Sequence, residues 1–293
     1  MLAKIKRWLL LRLPPTWAGR LRAWRVRHLI RTFPARVVEH SYGGSRLKVF
    51  LADPLSQGWY DGDWPALPEI ASLQQSRLRS GARVFDVGAH QGVVAAMLAG
   101  VVGPAGQVVA VEASLHNCRA AARNRELNGL SQIEVVQAAV ADRPGTLYFN
   151  QGLNGQLDDG SGARGRLAVE AITLDQLAER FGPPDVVFLD IEGAECLALS
   201  GAPLVLASGA DFFVEVHVGC GLEKLSGSVA QLLSYFPSHR FDLMVRAEED
   251  DSFRPFRQDD PLTSERFYLL ARCRGAEAGR AGAPGPAAAR RPA

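Results

Sequence analysis

From residue 83 the chain alternates short apolar runs with longer amphipathic or small-residue segments. "RVFDV" (83–87), "QVVAVEA" (107–113), "IEVVQAAV" (133–140), "DVVFLDI" (185–191) and "DFFVEVHV" (211–218) have the length and β-branched content of strands buried on both faces. Between them, "VVAAMLAGVV" (93–102), "HNCRAAARNRELNG" (116–129, with Gly129 as a stop), "TLDQLAERF" (173–181), "AECLALSGA" (194–202) and "SVAQLLSYF" (228–236) read as helices. "RFDLMVRA" and "RFYLLARC" close the series as strands. Strand alternating with helix predicts an α/β fold with a mostly parallel sheet covered on both faces.

Upstream the pattern changes. "ARVVEH" and "RLKVFLADP" flank "SYGGS", and their period-two patterning around Gly43-Gly44 predicts a β-hairpin. "WPALPEIASLQQSRL" (64–78) predicts a helix. Residues 1–33 carry two helical patterns split by "PPT"; in the second, Trp17, Leu21, Trp24, Val26, Leu29, Ile30 and Phe33 recur at near-helical spacing among arginines. The stretch 150–166, "NQGLNGQLDDGSGARGR", predicts a mobile loop, either a lid or a plain surface loop. Residues 275–293 hold 15 Gly, Ala or Pro in 19 and predict a disordered tail. The expected organisation is a basic arm over 1–35, a β-hairpin extension over 36–64, an α/β domain over 65–272 and a tail over 273–293.

Charge sharpens the reading of the arm. The first 40 residues carry ten Lys/Arg against one acid, and the remainder 23 against 30. An arginine-rich amphipathic helix suits an anionic membrane surface, or equally the chain's own acidic body. No run approaches the roughly 18–20 apolar residues of a spanning helix. The apolar run at the N-terminus, Trp8–Leu11, is too short for an export signal. Cys118, Cys196, Cys220 and Cys273 show no metal or disulfide spacing and read as free thiols. These features predict a cytoplasmic protein whose residues 1–33 either make peripheral contact with an anionic membrane or fold on the chain's own body.

The turn after the first buried strand carries the chemistry. "VFDVGAHQG" (84–92) places Gly88, Ala89, His90, Gln91 and Gly92 where a ligand meets the end of a parallel sheet. A pyrophosphate-binding turn wants glycine at position 90, and this chain has His90. A carboxylate just before the turn, Asp86, repels phosphate but suits a ligand with an ammonium group. Glu112 ends the next strand, 24 residues after Gly88, where a carboxylate can accept from both ribose hydroxyls. Together they favour S-adenosylmethionine over a nicotinamide cofactor, which Glu112 alone would fit. No lysine follows a G-x-x-x-x-G, and there is no H-E-x-x-H or G-x-S-x-G.

"FDVGAHQG", "VEAS", "QAAVAD" and "FLDIEGAECLALSGA" together resemble the FkbM family of methyltransferases over about residues 36–272. The resemblance implies a class I, Rossmann-like, seven-stranded sheet whose last strand runs antiparallel. It implies S-adenosylmethionine as cofactor and, in many members, a hydroxyl acceptor. Carried onto this chain, it puts Asp86, Gly88 and Gly92 at the methionine-side turn, Glu112 at the ribose and Ala139 on the adenine wall. Asp190 and Glu192 fall between methyl donor and acceptor. Members often carry Lys two positions before the Asp of D-[IV]-E-G; here that position is Phe188.

An alcohol becomes a competent nucleophile as its proton leaves, so a general base is expected. Asp190 and Glu192 sit two apart, as do Glu215 and His217 on the next strand, so each pair shares a side. His217 has the ordinary pKa best suited to a base at neutral pH. Structural pairing of Glu215 with His217, and a plain turn role for Glu192, are the bland alternatives. A divalent metal on Asp190, Glu192, Glu215 and His217 is a third, but no tight ligand motif supports it, and no metal is expected. His90 either touches substrate or caps the following helix. The expected function is O-methyl transfer to a sugar, glycolipid or secondary metabolite, without nucleic acid as partner. The rival is a membrane- or complex-associated module that keeps the fold without catalysis.

Overall fold

The computed structural model describes residues 15–150, 152–153, 156–157, 166–257, 260 and 266–275. The first helical pattern of the arm, most of the 150–166 stretch and nearly all of the tail lie outside the described residues. Helix α1 (Pro15–Thr32) carries the second arm pattern. The hairpin forms as expected: β1 (Arg36–Tyr42) pairs antiparallel with β2 (Ser45–Leu51), with Tyr42 opposite Ser45. Gly43 and Gly44 turn at φ +60° and +88°, the double positive φ that a two-residue hairpin turn requires.

The rest of the 36–64 extension is not hairpin. Helix α2 (Pro54–Tyr60) follows β2 directly, held by a capping box between Asp53 and Ser56 with Pro54 at its first position. The helix expected over 64–78 is shorter. Trp64 instead bridges to Tyr42, and α3 (Pro68–Gln74) starts only at Pro68. Each proline in "WPALP" disfavours helix in the residue before it, so the segment stays extended until Pro68 can serve as a helix start.

The main sheet contains β3 (Arg83–Val87), β4 (Gln107–Glu112), β5 (Ile133–Gln137), β10 (Val186–Leu189), β11 (Asp211–Val216), β12 (Phe241–Ala247), β13 (Arg254–Pro255) and β14 (Phe267–Cys273). Its spatial order is β13-β12-β14-β11-β10-β3-β4-β5. The five strands from β11 to β5 are parallel, and β14 runs antiparallel to both β11 and β12. The sheet is therefore mixed and has eight strands where seven were expected. The extra one, β13, is a two-residue edge opposite Met244 and Val245.

Helices α4 (Val93–Val102), α5 (Leu115–Leu127), α6 (Leu174–Phe181), α7 (Glu195–Ser200), α8 (Pro203–Ala207) and α9 (Val229–Ser234) connect the strands. A second sheet corrects two expectations. "IEVVQAAV" is not one strand: β5 ends at Gln137, and β6 (Ala139–Val140) joins β7 (Gly145–Asn150), β8 (Gln156–Leu157) and β9 (Arg166–Ile172) in the order β6-β9-β7-β8. The stretch 150–166, expected as a loop, is thus bounded by paired strands. Its lid role falls on residues outside the description.

Strand parity decides where the site forms. Phe85, Val87, Val109 and Val111 pack into one apolar layer, beside α6 to α9. Val84, Val108, Ala110, Val186, Phe188 and Phe213 pack into the other, with α4, β2, Tyr60 and α3. Side chains alternate along a strand, so Asp86, Glu112, Asp190, Glu215 and His217 share the side of this second layer. The N-terminal extension lies over the face on which the acids sit.

Candidate active site

The order of the parallel strands reverses between β3 and β10, and ligands of open α/β sheets sit beyond the strand ends at such a point. A cavity of about 670 Å³, open mouth included, lies there, with Gly88, Glu112, Ala139, Asp190 and Glu192 in its wall. Trp59 of α2 and His90 complete one rim.

The turn is built for close approach. Gly88 has φ +90°, and a Cβ there would stand 1.7 Å from the carbonyl oxygen of Asp190, so only glycine lets the two strand ends cross. Gly92 has φ +76° and lies against Ala121, which seats α4 on α5. The amides of Gly88 and Ala89 donate to the Val111 carbonyl at 2.9 and 3.1 Å. His90, at φ 48°, is a rare side chain in the left-handed region.

Two carboxylates stand at this turn. Glu112 is buried and accepts from the His90 amide at 3.0 Å through Oε2 and the Ser114 amide at 2.7 Å through Oε1. Burial pushes its pKa up to about 6 against these hydrogen bonds. A carboxylate at this strand end can accept from both hydroxyls of a ribose diol. Asp86 stands behind the cavity wall, 4% exposed, and its Oδ2 has no hydrogen-bond partner. Burial, then Glu112, raise its pKa to about 7. An orphaned buried carboxylate oxygen calls for a cation or a hydrogen-bond donor. The ammonium and sulfonium of S-adenosylmethionine fit an acid-lined site of this kind. Ala139, with Ala138 and Phe149, makes the apolar end. Of the cofactor residues expected from sequence, Gly88, Glu112, Ala139 and Asp190 line the cavity, while Asp86, Ala89 and Gly92 stand behind it.

The four expected catalytic residues come together at the ends of β10 and β11. His217 Nε2 lies 3.7 Å from Asp190, 3.6 Å from Glu192 and 3.5 Å from Glu215. Its Nδ1 pairs with Glu195 at 2.7 Å. Burial opposes charge on His217, but the Glu195 hydrogen bond and the acids around it prevail and raise its pKa to about 9. It is therefore an imidazolium at neutral pH, its ordinary pKa raised by the carboxylates around it. Nor do His217 and Glu215 line the cavity; they stand behind Asp190 and Glu192. Glu215 also pairs with Arg266 at 3.0 Å. The Asp190 side chain opens on the cavity; enclosure of the site first, then Glu215, push its pKa well above the carboxylate range against the pull of His217. Glu192 holds φ 55°, a strained turn that keeps its side chain at the cavity wall. Asp190, Glu192 and His217 bring one ligand atom each within 4.8 Å of one another, close enough to hold a divalent cation.

Sequence reasoning missed four residues. Glu195 is the second acid of the quoted "DIEGAE", and its burial beside His217 follows from the helix start at that position. Asp53 is fully buried; it caps α2 and accepts from Gln91 Nε2 at 2.7 Å, with His116 Nε2 also at 2.7 Å. Its signal was an Asp directly before a Pro. Trp59 and Tyr60 reach the turn because Asp53 ties α2 to it. Phe188 takes the place of the family lysine by joining the core: it is 5% exposed and packs on Phe213 at 4.2 Å between ring centroids.

Comparison with known proteins gives the family. The model of the methyltransferase FkbM domain matches residues 86–243, from Asp86 through β12. No curated protein matches the chain. Among solved structures, methyltransferase FkbM from Methylobacillus flagellatus KT is 17% identical over 65% of this chain and 43% of that one, with a TM-score of 0.42. A SAM-dependent methyltransferase from Aquifex aeolicus is 16% identical over 75% of this chain and 93% of that one, at 0.41. A SAM-dependent O-methyltransferase from Thermotoga maritima is 16% identical over 86% and 83%, at 0.38. The family match spans more than half of the chain and begins at the acid before the glycine turn: the chain belongs to the FkbM family of methyltransferases and uses S-adenosylmethionine.

Proposed function

We propose that the protein transfers the methyl group to a hydroxyl of a sugar, glycolipid or secondary metabolite. One observation carries this reading: Asp190 and Glu192 face the cavity while His217, held by Glu195, stands directly behind them. S-adenosylmethionine supplies an already activated methyl group, so the protein mainly has to position it and manage the acceptor's proton. Glu112 would hold the ribose, Asp86 would draw the cationic end electrostatically from behind the wall, and Ala139 would lie against the base. Asp190 takes the hydroxyl proton; its raised pKa makes it a stronger base than an ordinary carboxylate. The imidazolium of His217 positions Asp190 and Glu192 and offsets their mutual repulsion.

Transfer of labelled methyl from S-adenosylmethionine to a panel of hydroxyl compounds tests the reading. Asp190→Asn should lower kcat by about 10²–10⁴-fold on the compound the wild type accepts, while S-adenosylhomocysteine still binds. Wild-type turnover retained by that variant, or a nitrogen acceptor preferred over every hydroxyl, would contradict it.

A second proposal concerns the arm. Helix α1 leaves Leu21, Trp24 and Leu29 exposed among the exposed Arg20, Arg25, Arg27 and Arg31. Apolar and aromatic side chains interleaved with arginine suit the interface of an anionic membrane. No helix among the described residues is long and apolar enough to cross one. We place the enzyme in the cytoplasm, in peripheral contact with the membrane through residues 1–33.

A further inference from the structure

One buried polar atom at the cavity is left without use by the methyl-transfer chemistry. His90 is 8% exposed and lines the cavity, yet its Nε2 has no hydrogen-bond partner. The Leu153 carbonyl comes near the ring without completing a bond to that atom. The other nitrogen, Nδ1, lies 2.8 Å from the hydroxyl of Tyr60.

That contact fixes the tautomer. The Tyr60 phenol is buried and its pKa is raised well above 10, so it keeps its proton. If the hydroxyl donates to Nδ1, one buried group, Nε2–H, remains unsatisfied. If Nδ1–H donated to the phenol instead, both the phenolic hydrogen and the Nε2 lone pair would be stranded. The first arrangement costs less. Burial lowers the pKa of His90 to about 4, so the ring is neutral. His90 therefore holds a fixed, uncharged N–H donor just beneath the cavity surface.

Its neighbours say what the donor is for. Trp59 packs against the His90 ring at 4.9 Å between centroids, stays 42% exposed and lines the same cavity. Asp190 and Glu192 also line it, so one rim offers an aromatic face and a donor while the strand ends offer acceptors. A group carrying adjacent hydroxyls satisfies both at once, since each hydroxyl donates and accepts. The negative face of an indole attracts the C–H bonds of a ring laid over it. The cavity wall holds Glu112, Asp190 and Glu192 and, among the described residues, no lysine or arginine, so a phosphate, sulfate or carboxylate on the acceptor ring would find no cationic partner there.

We propose that Trp59 and His90 form the acceptor subsite, and that it takes a neutral, polyhydroxylated ring of the sugar class, with the Nε2–H of His90 donating to a ring-borne oxygen. The proposal deepens the methyl-transfer reading and rests on it. Tyr60 is the positioning residue that holds the tautomer. His90 stands in a left-handed backbone conformation for this purpose, although asparagine would fit the backbone better.

That backbone preference supplies the test. Asparagine keeps an amide near Nδ1 and suits positive φ; glutamine reaches toward Nε2 but suits positive φ less well. The full-length protein, ¹⁵N-labelled at its six histidines, is saturated with S-adenosylhomocysteine. It is then titrated with the methyl pyranosides of glucose, mannose, galactose and rhamnose, with methyl glucuronide and with catechol. At least one neutral pyranoside should shift the His90 Nε2 resonance. Its affinity should fall at least tenfold in His90→Asn, Trp59→Ala and Tyr60→Phe, and less than threefold in His90→Gln. The glucuronide should bind at least tenfold more weakly than the matched glucoside.

Four results would overturn the proposal: no pyranoside shifting His90, equal pyranoside affinity in His90→Asn, catechol or glucuronide binding more tightly than every neutral sugar, or a tenfold loss of S-adenosylhomocysteine affinity in His90→Asn, which would assign the donor to the cofactor. Failure of the wild type to bind S-adenosylhomocysteine would instead strike the underlying methyl-transfer reading, so the two failures are separable.

Discussion

Asp86 shows how one buried acid links stability to cofactor binding. Its pKa of about 7 lies above the value of about 4 expected in the unfolded chain. The protonated carboxyl therefore favours the free folded protein at acid pH. That contribution is full below the unfolded pKa and is lost as pH rises through 7, a swing of about 4 kcal/mol for a three-unit shift. A cationic ligand gains most from the ionised form. Affinity for S-adenosylmethionine should rise between pH 5.5 and 7 with a slope approaching one proton released. Calorimetry in buffers of different ionisation enthalpy reads that proton directly, and in Asp86→Asn the slope should fall to what Glu112, at about 6, contributes. A pH-independent affinity in the wild type would remove Asp86 from the cofactor site. At this scale the sequence was informative. Asp86 before the turn, His90 in the place of a glycine and Glu112 at the next strand end were each legible. The state of His217 was not, because its partner Glu195 lies 22 residues away and only the fold brings the two to 2.7 Å.

Among the elements, the five parallel strands and the helices joining them were legible because long apolar runs have a clear period. The misreadings have physical causes. Helix α2 is seven residues long, too short to show helical periodicity, and rests on a capping box and on Asp53 tying it to Gln91 and His116. Strands β7 and β9 border a Gly- and Asn-rich stretch, and their pairing depends on partners 16 to 26 residues apart. Phe188 belongs to this scale because it joins neighbouring strands. Its ring packs on Phe213, which in turn stacks on Tyr268 at 5.9 Å. Phe188→Lys would place an ammonium among these rings and should destabilise the fold by about 3 kcal/mol or more. Chemical denaturation measures this. Unchanged stability would mean that a carboxylate of the site can reach position 188.

Over the whole molecule, strand parity brings the acids of four strands and the N-terminal extension to one side of the sheet. The parity is written in the sequence, but the occupant of that side is not. Only the fold shows that β2, α2 and α3 pack on this apolar layer and bring Trp59 to the cavity and Tyr60 against His90. The basic arm extends the same N-terminal region. Deleting residues 1–33 should abolish salt-sensitive binding to vesicles containing phosphatidylserine while leaving S-adenosylhomocysteine affinity unchanged. Equal vesicle binding by the shortened protein would refute the membrane contact. The central claim is that Asp86 and Glu112 make this cavity a methyl-donor site, and calorimetric titration with S-adenosylhomocysteine tests it most directly. The wild type should bind one equivalent, and Asp86→Ala with Glu112→Ala should weaken binding by about 100-fold or more, two charge-assisted contacts being lost. Unchanged affinity in the folded double variant would contradict the account.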